Sequence, residues 1–331
     1  MRLAPFLRTL LPLLPLLAPL TLAFVLTGCG KNDFQPIEQQ PIIVSVNVKD
    51  HSLSFLDPVR NKVSAAWQLD FPLSGALFLA QDQLLVYGKQ ADKALIYQLS
   101  TGKQIETWDV GKGAANALLS HSKQFVYFVD QHHKSIRAFR LDGTLQYEVS
   151  VGKQPLHMYE AKDGSKLYVI NFDDTTMSII DTQLQKVVQT FGINESSAGG
   201  LLLDDRRELW VGGHGSGAEV ESDIHVYNMD TGSLIRRIPA PYMPVSFAQT
   251  DTGIFALSHG SSTLRKFARN TGAELGTIKI GANPFEMKEI GGKLYIASYD
   301  SNEIYVINPN SLTVSSIIPV GQGPFQITSN S

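Results

Sequence analysis

The chain has 331 residues, 28 basic against 31 acidic side chains for a net charge of −3, and one cysteine. The slightly acidic balance argues against a nucleic-acid-binding surface or a polybasic membrane patch. A lone cysteine excludes an internal disulfide and any metal site built from several thiolates.

The amino terminus carries Arg2 and Arg8 and no acid, then runs mostly apolar from Leu10 to Val25, broken by Pro12, Pro15, Pro19 and Thr21. This is the charged and apolar pattern of an export signal. A spanning helix fits less well, because proline removes backbone donors and the run falls short of about 20 apolar residues. The run ends at Leu26-Thr27-Gly28-Cys29, which resembles the lipobox of bacterial lipoproteins. The resemblance implies removal of residues 1–28 and lipidation of Cys29, the new amino terminus. The alternative is a chance cysteine beside an ordinary cleavage site. Loss of two arginines leaves 26 basic against 31 acidic residues, a net charge of −5. Residues 29–40 are a polar stretch with the reach of a tether, at most about 40 Å. The expected location is lipid-anchored at the cell membrane or outer membrane, facing outside the cytoplasm. Family rules link inner-membrane retention to Asp after the lipidated cysteine. Gly30 therefore implies the outer membrane in a host that has one.

From residue 41 to 331 the sequence repeats. Strand-like runs begin at Ile43, Leu85, Val126, Tyr168, Trp210, Phe255 and Tyr295, spaced 42, 41, 42, 42, 45 and 40 residues apart. A second apolar run follows about ten residues on, then a turn such as Thr101-Gly102, Asp230-Thr231-Gly232 or Asn308-Pro309, then a third strand. These turn residues tolerate left-handed or proline-fixed angles. Joints then recur as Val151-Gly152-Lys153-Gln154-Pro155, Ile280-Gly281-Ala282-Asn283-Pro284 and Val320-Gly321-Gln322-Gly323-Pro324. Seven β-rich units of 40–45 residues predict an all-β fold, a single seven-bladed β-propeller. Phe325-Gln326-Ile327-Thr328 repeats Phe285-Glu286-Met287-Lys288, so the carboxy-terminal strand is expected to complete the first blade and hide its edge.

Lys166-Leu167-Tyr168-Val169-Ile170-Asn171 with Met177-Ser178-Ile179-Ile180-Asp181-Thr182, and Lys293-Leu294-Tyr295-Ile296-Ala297-Ser298 with Ile304-Tyr305-Val306-Ile307-Asn308, resemble the YVTN-type (YncE-like) propeller repeat. That resemblance covers nearly all of residues 41–331 and implies a propeller of the kind found in periplasmic and surface proteins.

In propellers the innermost strands line a channel. Two residues after each joint proline stand His157, Ser246, Glu286 and Gln326. Alternation aims them at the channel mouth and packs Met158, Phe247, Met287 and Ile327 between blades. Rim loops add His51, Asp92, His132, His133, Asp173, Asp174, His214, His259 and Asp300. Of these, His132, His214 and His259 join the four channel residues as candidate binding positions. Imidazole and carboxylate suit zinc, copper or iron, but the histidines come from different blades without close ligand spacing. No metal and no cofactor is therefore expected. Gly212–Asp223 is a long, glycine-rich and acidic loop. It lacks the Gly-Lys-Ser/Thr ending of a phosphate loop, and rim loops of this kind carry binding residues or none. No nucleophile elbow is present, and no catalytic residue is assigned. The sequence favours a binding module whose partner is an envelope protein, a peptide or a small ligand, with no nucleic acid. The alternative is an enzyme resembling propeller lactonases or quinone-dependent dehydrogenases, with His157 and Glu286 as its only candidates.

Overall fold

The computed structural model describes residues 33–38 and 41–330. The segment expected to be an export signal and Cys29 lie outside them. The described residues form 28 strands and no helix, arranged as seven four-stranded antiparallel sheets.

Blade 1 consists of Pro324–Ser329, Ile43–Asn47, Ser52–Asp57 and Lys62–Gln68, from the inside outward. Blades 2 to 7 each take four consecutive strands. Their inner strands are Gly75–Ala80, Ala114–Leu119, Pro155–Glu160, Ser197–Leu203, Pro244–Thr250 and Pro284–Ile290. Each inner strand touches the next, and Pro324–Ser329 touches both Pro284–Ile290 and Gly75–Ala80, so the ring closes. The closing strand pairs antiparallel with Ile43–Asn47, setting Val44 opposite Thr328 and Val46 opposite Gln326. The expected closure by the carboxy-terminal strand is therefore present.

Burial explains why the repeat was readable. A second strand such as Lys166–Asn171 or Ile43–Asn47 has a neighbouring blade on both faces, and every residue in the two but Lys166 is buried. It therefore appears as a continuous apolar run. The outer strand Lys186–Gly192 alternates exposed and half-buried positions, because its far edge meets solvent. The core is not central. It is divided into seven clusters, one between each pair of adjacent blades, as with Tyr87, Trp108, Phe128 and Phe139 between blades 2 and 3.

Antiparallel alternation gives the ring two distinct faces. The joints and the loops from second to third strands lie on one, here termed the joint face. The turns from first to second and from third to fourth strands lie on the other, the hairpin face.

Part of the stretch expected as a tether lies against the ring. Phe34 stacks on Trp67 with centroids 4.8 Å apart, and the Trp67 indole N–H donates to the Gln35 carbonyl at 2.9 Å. Phe34 and Ile37 donate their N–H groups to Gly102 and Leu99, both at 2.8 Å, and Ile37 is buried. Two apolar side chains in a polar stretch suffice to fix this strap across blades 1 and 2.

Candidate functional site at the joint face

Two local rules build this face. The first is the joint. The residue before the inner strand is left-handed in most blades: Gln154, Ser196, Met243, Asn283 and Gly323 have φ of 49 to 65°. Its carbonyl accepts the N–H of the first residue after the second strand. Phe172, His214, His259, Tyr299 and Val48 make this bond to Gln154, Ser196, Met243, Asn283 and Gly323 at 2.9–3.1 Å. The same bond in successive blades holds these five side chains at equivalent places around the mouth.

The second rule is a bulge. In six blades the pairing slips one residue just after the inner strand begins. A bulge leaves one residue unpaired and re-aims its side chain. In blades 7 and 1 that residue is Phe285 and Phe325.

Together the two rules assemble a chain of rings across blades 4, 5, 6, 7 and 1. Phe172 lies 6.2 Å from His214, His214 5.5 Å from His259, and His259 4.6 Å from Phe285. Phe285 in turn meets Tyr299 at 5.3 Å and Phe325 at 5.2 Å. The contacts are tilted or edge-on, the arrangement that ring quadrupoles favour. Phe325 remains 38% exposed. At the far end the Lys49 ammonium sits 4.2 Å over the Tyr299 ring and 3.0 Å from Asp300. Burial lowers the pKa of both His214 and His259, which favours neutral imidazoles within the arc.

Below the mouth, the predicted channel residues bind neighbouring inner strands. Glu286 accepts from the Ile327 N–H, Ser246 from Met287 N–H at 3.0 Å, and Gln326 from Ala76 N–H at 2.7 Å. The Tyr159 hydroxyl accepts from Gly200 N–H at 2.7 Å. Inner strands have no strand partner on the channel side, and an unmade buried N–H bond is costly. Each of these side chains fills that vacancy on the next blade. His157 Nδ1 is 2.9 Å from Asn116 Nδ2, linking blades 4 and 3. Gln326 also donates to the Tyr87 hydroxyl at 3.3 Å. As alternation required, Met158, Phe247, Met287 and Ile327 are buried between blades.

The electrostatics follow from this enclosure. Burial raises the Glu286 carboxyl to about 7, against the opposing pull of Lys288 and the Ile327 N–H. Burial lowers His157 to about 4. Desolvation penalises the charged form in both cases.

The candidate residues thus fall into three groups. His214 and His259 join the aromatic arc. His157, Ser246, Glu286 and Gln326 form the inter-strand girdle. His132 stays apart on blade 3, against His133 at 4.9 Å, while His133 binds the buried Asp130 at 2.8 Å. Asp174 accepts from the Lys153 N–H, which accounts for it structurally. The long loop of blade 5 is tied down by Glu221, which accepts from Asn194 Nδ2 at 2.9 Å and lies 3.3 Å from His225 Nε2. Burial opposes ionisation of Glu221, but its bonds from His225, the Asp223 N–H and Asn194 hold it near 2. Among the described residues no three His, Cys, Asp or Glu side chains converge as a metal site.

Phe172, Phe285, Tyr299 and Phe325 were not among the residues singled out from sequence. A signal was available: Phe172, His214, His259 and Tyr299 are spaced 42, 45 and 40 residues apart, the blade period itself, and Pro-Phe follows two joints.

No protein-family profile matches the chain, and no curated protein is significantly similar to it. Solved structures do match. Dihydro-heme d1 dehydrogenase NirN, in complex with DHE, is 15% identical, with a TM-score of 0.64 over 88% of this chain and 66% of that one. The chain therefore spans just under two thirds of NirN. A functionally unknown protein from Desulfotomaculum acetoxidans DSM 771 is 12% identical, with a TM-score of 0.70 over 87% of this chain and 98% of its own. Kuenenia stuttgartiensis hydrazine synthase is 12% identical, with a TM-score of 0.63 over 77% of this chain and 90% of that one. At such identities the likeness shows the β-propeller fold alone.

Proposed function

We propose that this chain is a lipoprotein of the bacterial envelope, akin to the YVTN-type propellers, and that its ring is a binding module. Cys29 would carry the lipid, and the joint face would receive an envelope protein, peptide or small ligand. The observation that carries the binding role is the arc from Phe172 through His214, His259 and Phe285 to Tyr299 and Phe325. Partly exposed aromatic side chains grouped on one face are the groups that anchor ligands and partner proteins. Their positions repeat with the blades, and the two bulges add Phe285 and Phe325, so the rings are aimed rather than scattered.

The enzyme alternative has less behind it. His157 and Glu286 each already hold a bond to the neighbouring inner strand, and the likeness to NirN and hydrazine synthase extends to fold only.

The reading is tested by melting the full mature chain with and without fractionated envelope extract from its host. A ligand at 100 times its Kd stabilises the folded state by about 2.7 kcal/mol. The wild type is expected to rise in Tm with an active fraction, and the doubly substituted Phe285→Ala, Phe325→Ala protein to show little or no rise. Equal shifts for both proteins would place binding elsewhere.

A further inference from the structure

The hairpin face has a feature that neither the closed ring nor the aromatic arc uses. At the turns between third and fourth strands, blades 1, 3 and 4 each present an exposed aliphatic side chain, Val59, Leu141 and Leu184. Val59 is 80% exposed and Leu184 59%. One such residue is ordinary on a protein surface, but these three stand in corresponding turns on either side of blade 2. There the strap covers the turn through the Phe34 bond to Gly102 and the Ile37 bond to Leu99.

The strap says where the chain goes next. Phe34 is fixed at the hairpin face, and Cys29 precedes it by five residues. Five residues span at most about 18 Å. Acyl chains on Cys29 would therefore keep the bilayer within about 18 Å of Phe34. Charge agrees with this placement. In or next to the third-to-fourth turns of blades 1 to 4 stand the exposed bases Arg60, Lys62, Lys103, Arg140 and Lys186. Asp142 is the exposed acid within those turns, while Asp57 and Asp181 turn back onto the turn N–H groups.

We propose that the hairpin face of blades 1 to 4 is a membrane-contact surface, its aliphatic turns and basic flanks resting on the anionic interface of the bilayer that holds the anchor. The inference rests on the lipoprotein reading. It adds that the ring is oriented, with the aromatic arc turned away from the lipid. Apolar side chains in the headgroup region with bases beside them are the pattern of interfacial binding.

The test separates the two ideas. Intact-mass measurement of the protein from its host reports whether Cys29 is acylated, and an unmodified Cys29 removes the lipoprotein reading alone. For orientation, the unacylated chain from residue 29 is coupled through the Cys29 thiol to a maleimide lipid in vesicles of phosphatidylcholine and phosphatidylglycerol at 7:3. A fluorescent amino acid replaces Leu184 on the hairpin face or Lys112 on the joint face, and doxyl-labelled lipid is the quencher. Quenching at 184 should exceed that at 112 at least three-fold, and replacing Phe34 with alanine should reduce the ratio. Equal quenching at both positions, or stronger quenching at 112, would overturn the proposal.

Discussion

Glu286 and His157 line the same channel with opposite responses to burial, which makes stability against pH a test of the girdle. The folded-state pKa of Glu286 is about 7 against an ordinary 4.5. The folded protein therefore binds more protons than the unfolded chain between those values, and stability falls as pH rises through them. His157 is the reverse, about 4 against 6.5. Here the unfolded chain binds more protons, and stability rises with pH over that window. Each displacement corresponds to about 3 kcal/mol at roughly 1.4 kcal/mol per tenfold change. From pH 5 to 6.5 the two effects run in opposite directions at about 2 kcal/mol each and nearly cancel. Single substitutions should separate them. Glu286→Gln keeps an acceptor for the Ile327 N–H and removes the ionisation, so its stability relative to wild type should climb by about 2 kcal/mol between pH 5 and 6.5. His157→Gln should lose about the same amount relative to wild type over that range. Urea denaturation at several pH values, followed by the fluorescence of Trp67, Trp108 and Trp210, measures both. A difference that stays flat within about 0.5 kcal/mol for either variant would refute the enclosure of that side chain.

Other expectations follow from packing. Glu208 accepts from Nη1 and Nη2 of Arg236 at 2.8 and 2.9 Å and from Nη2 of Arg206 at 3.1 Å; Glu208→Ala should cost about 3 kcal/mol in chemical denaturation by stranding two arginines. A Cβ on Gly199 would stand 1.9 Å from the Val245 carbonyl carbon's oxygen, so Gly199→Ala should lower stability by about 2–3 kcal/mol through strain between blades 5 and 6. Phe34→Ala should release the strap, seen as faster hydrogen exchange of the Ile37 amide, at a cost of about 1–2 kcal/mol for a partly buried ring. Ending the chain at Gly323 removes the strand that covers Val44 and Val46; loss of cooperative unfolding at 25 °C is expected, because a domain's whole stability is about 5–15 kcal/mol.

The architecture was legible in sequence because blade geometry forces one pattern. Second strands such as Lys166–Asn171 are buried on both faces from their second residue on, so each leaves an apolar run, and the run recurs at the blade period. Closure was legible because Phe325-Gln326-Ile327-Thr328 repeats Phe285-Glu286-Met287-Lys288, and in the ring both segments are inner strands. The site was legible in part. A search for polar residues found Glu286 and Gln326, but nothing local marks them as acceptors for N–H groups on a strand some 41 or more residues away. The arc escaped because half its members are phenylalanines, which look like core until the joint holds Phe172 at the mouth and a bulge turns Phe285 and Phe325 outward. The strap escaped because Phe34 and Ile37 are isolated in a polar stretch, and what buries them is Trp67 and Tyr97 in two different blades.

The central claim is that ligand binding belongs to the joint face. It is tested most directly by placing a photo-crosslinking amino acid at Phe325 on that face, or at Leu184 on the hairpin face, in the full protein within living host cells. A discrete adduct from position 325, absent from position 184 and lost when Phe285 is changed to alanine, is the predicted result. The same adduct from both positions, or none from 325, would contradict it.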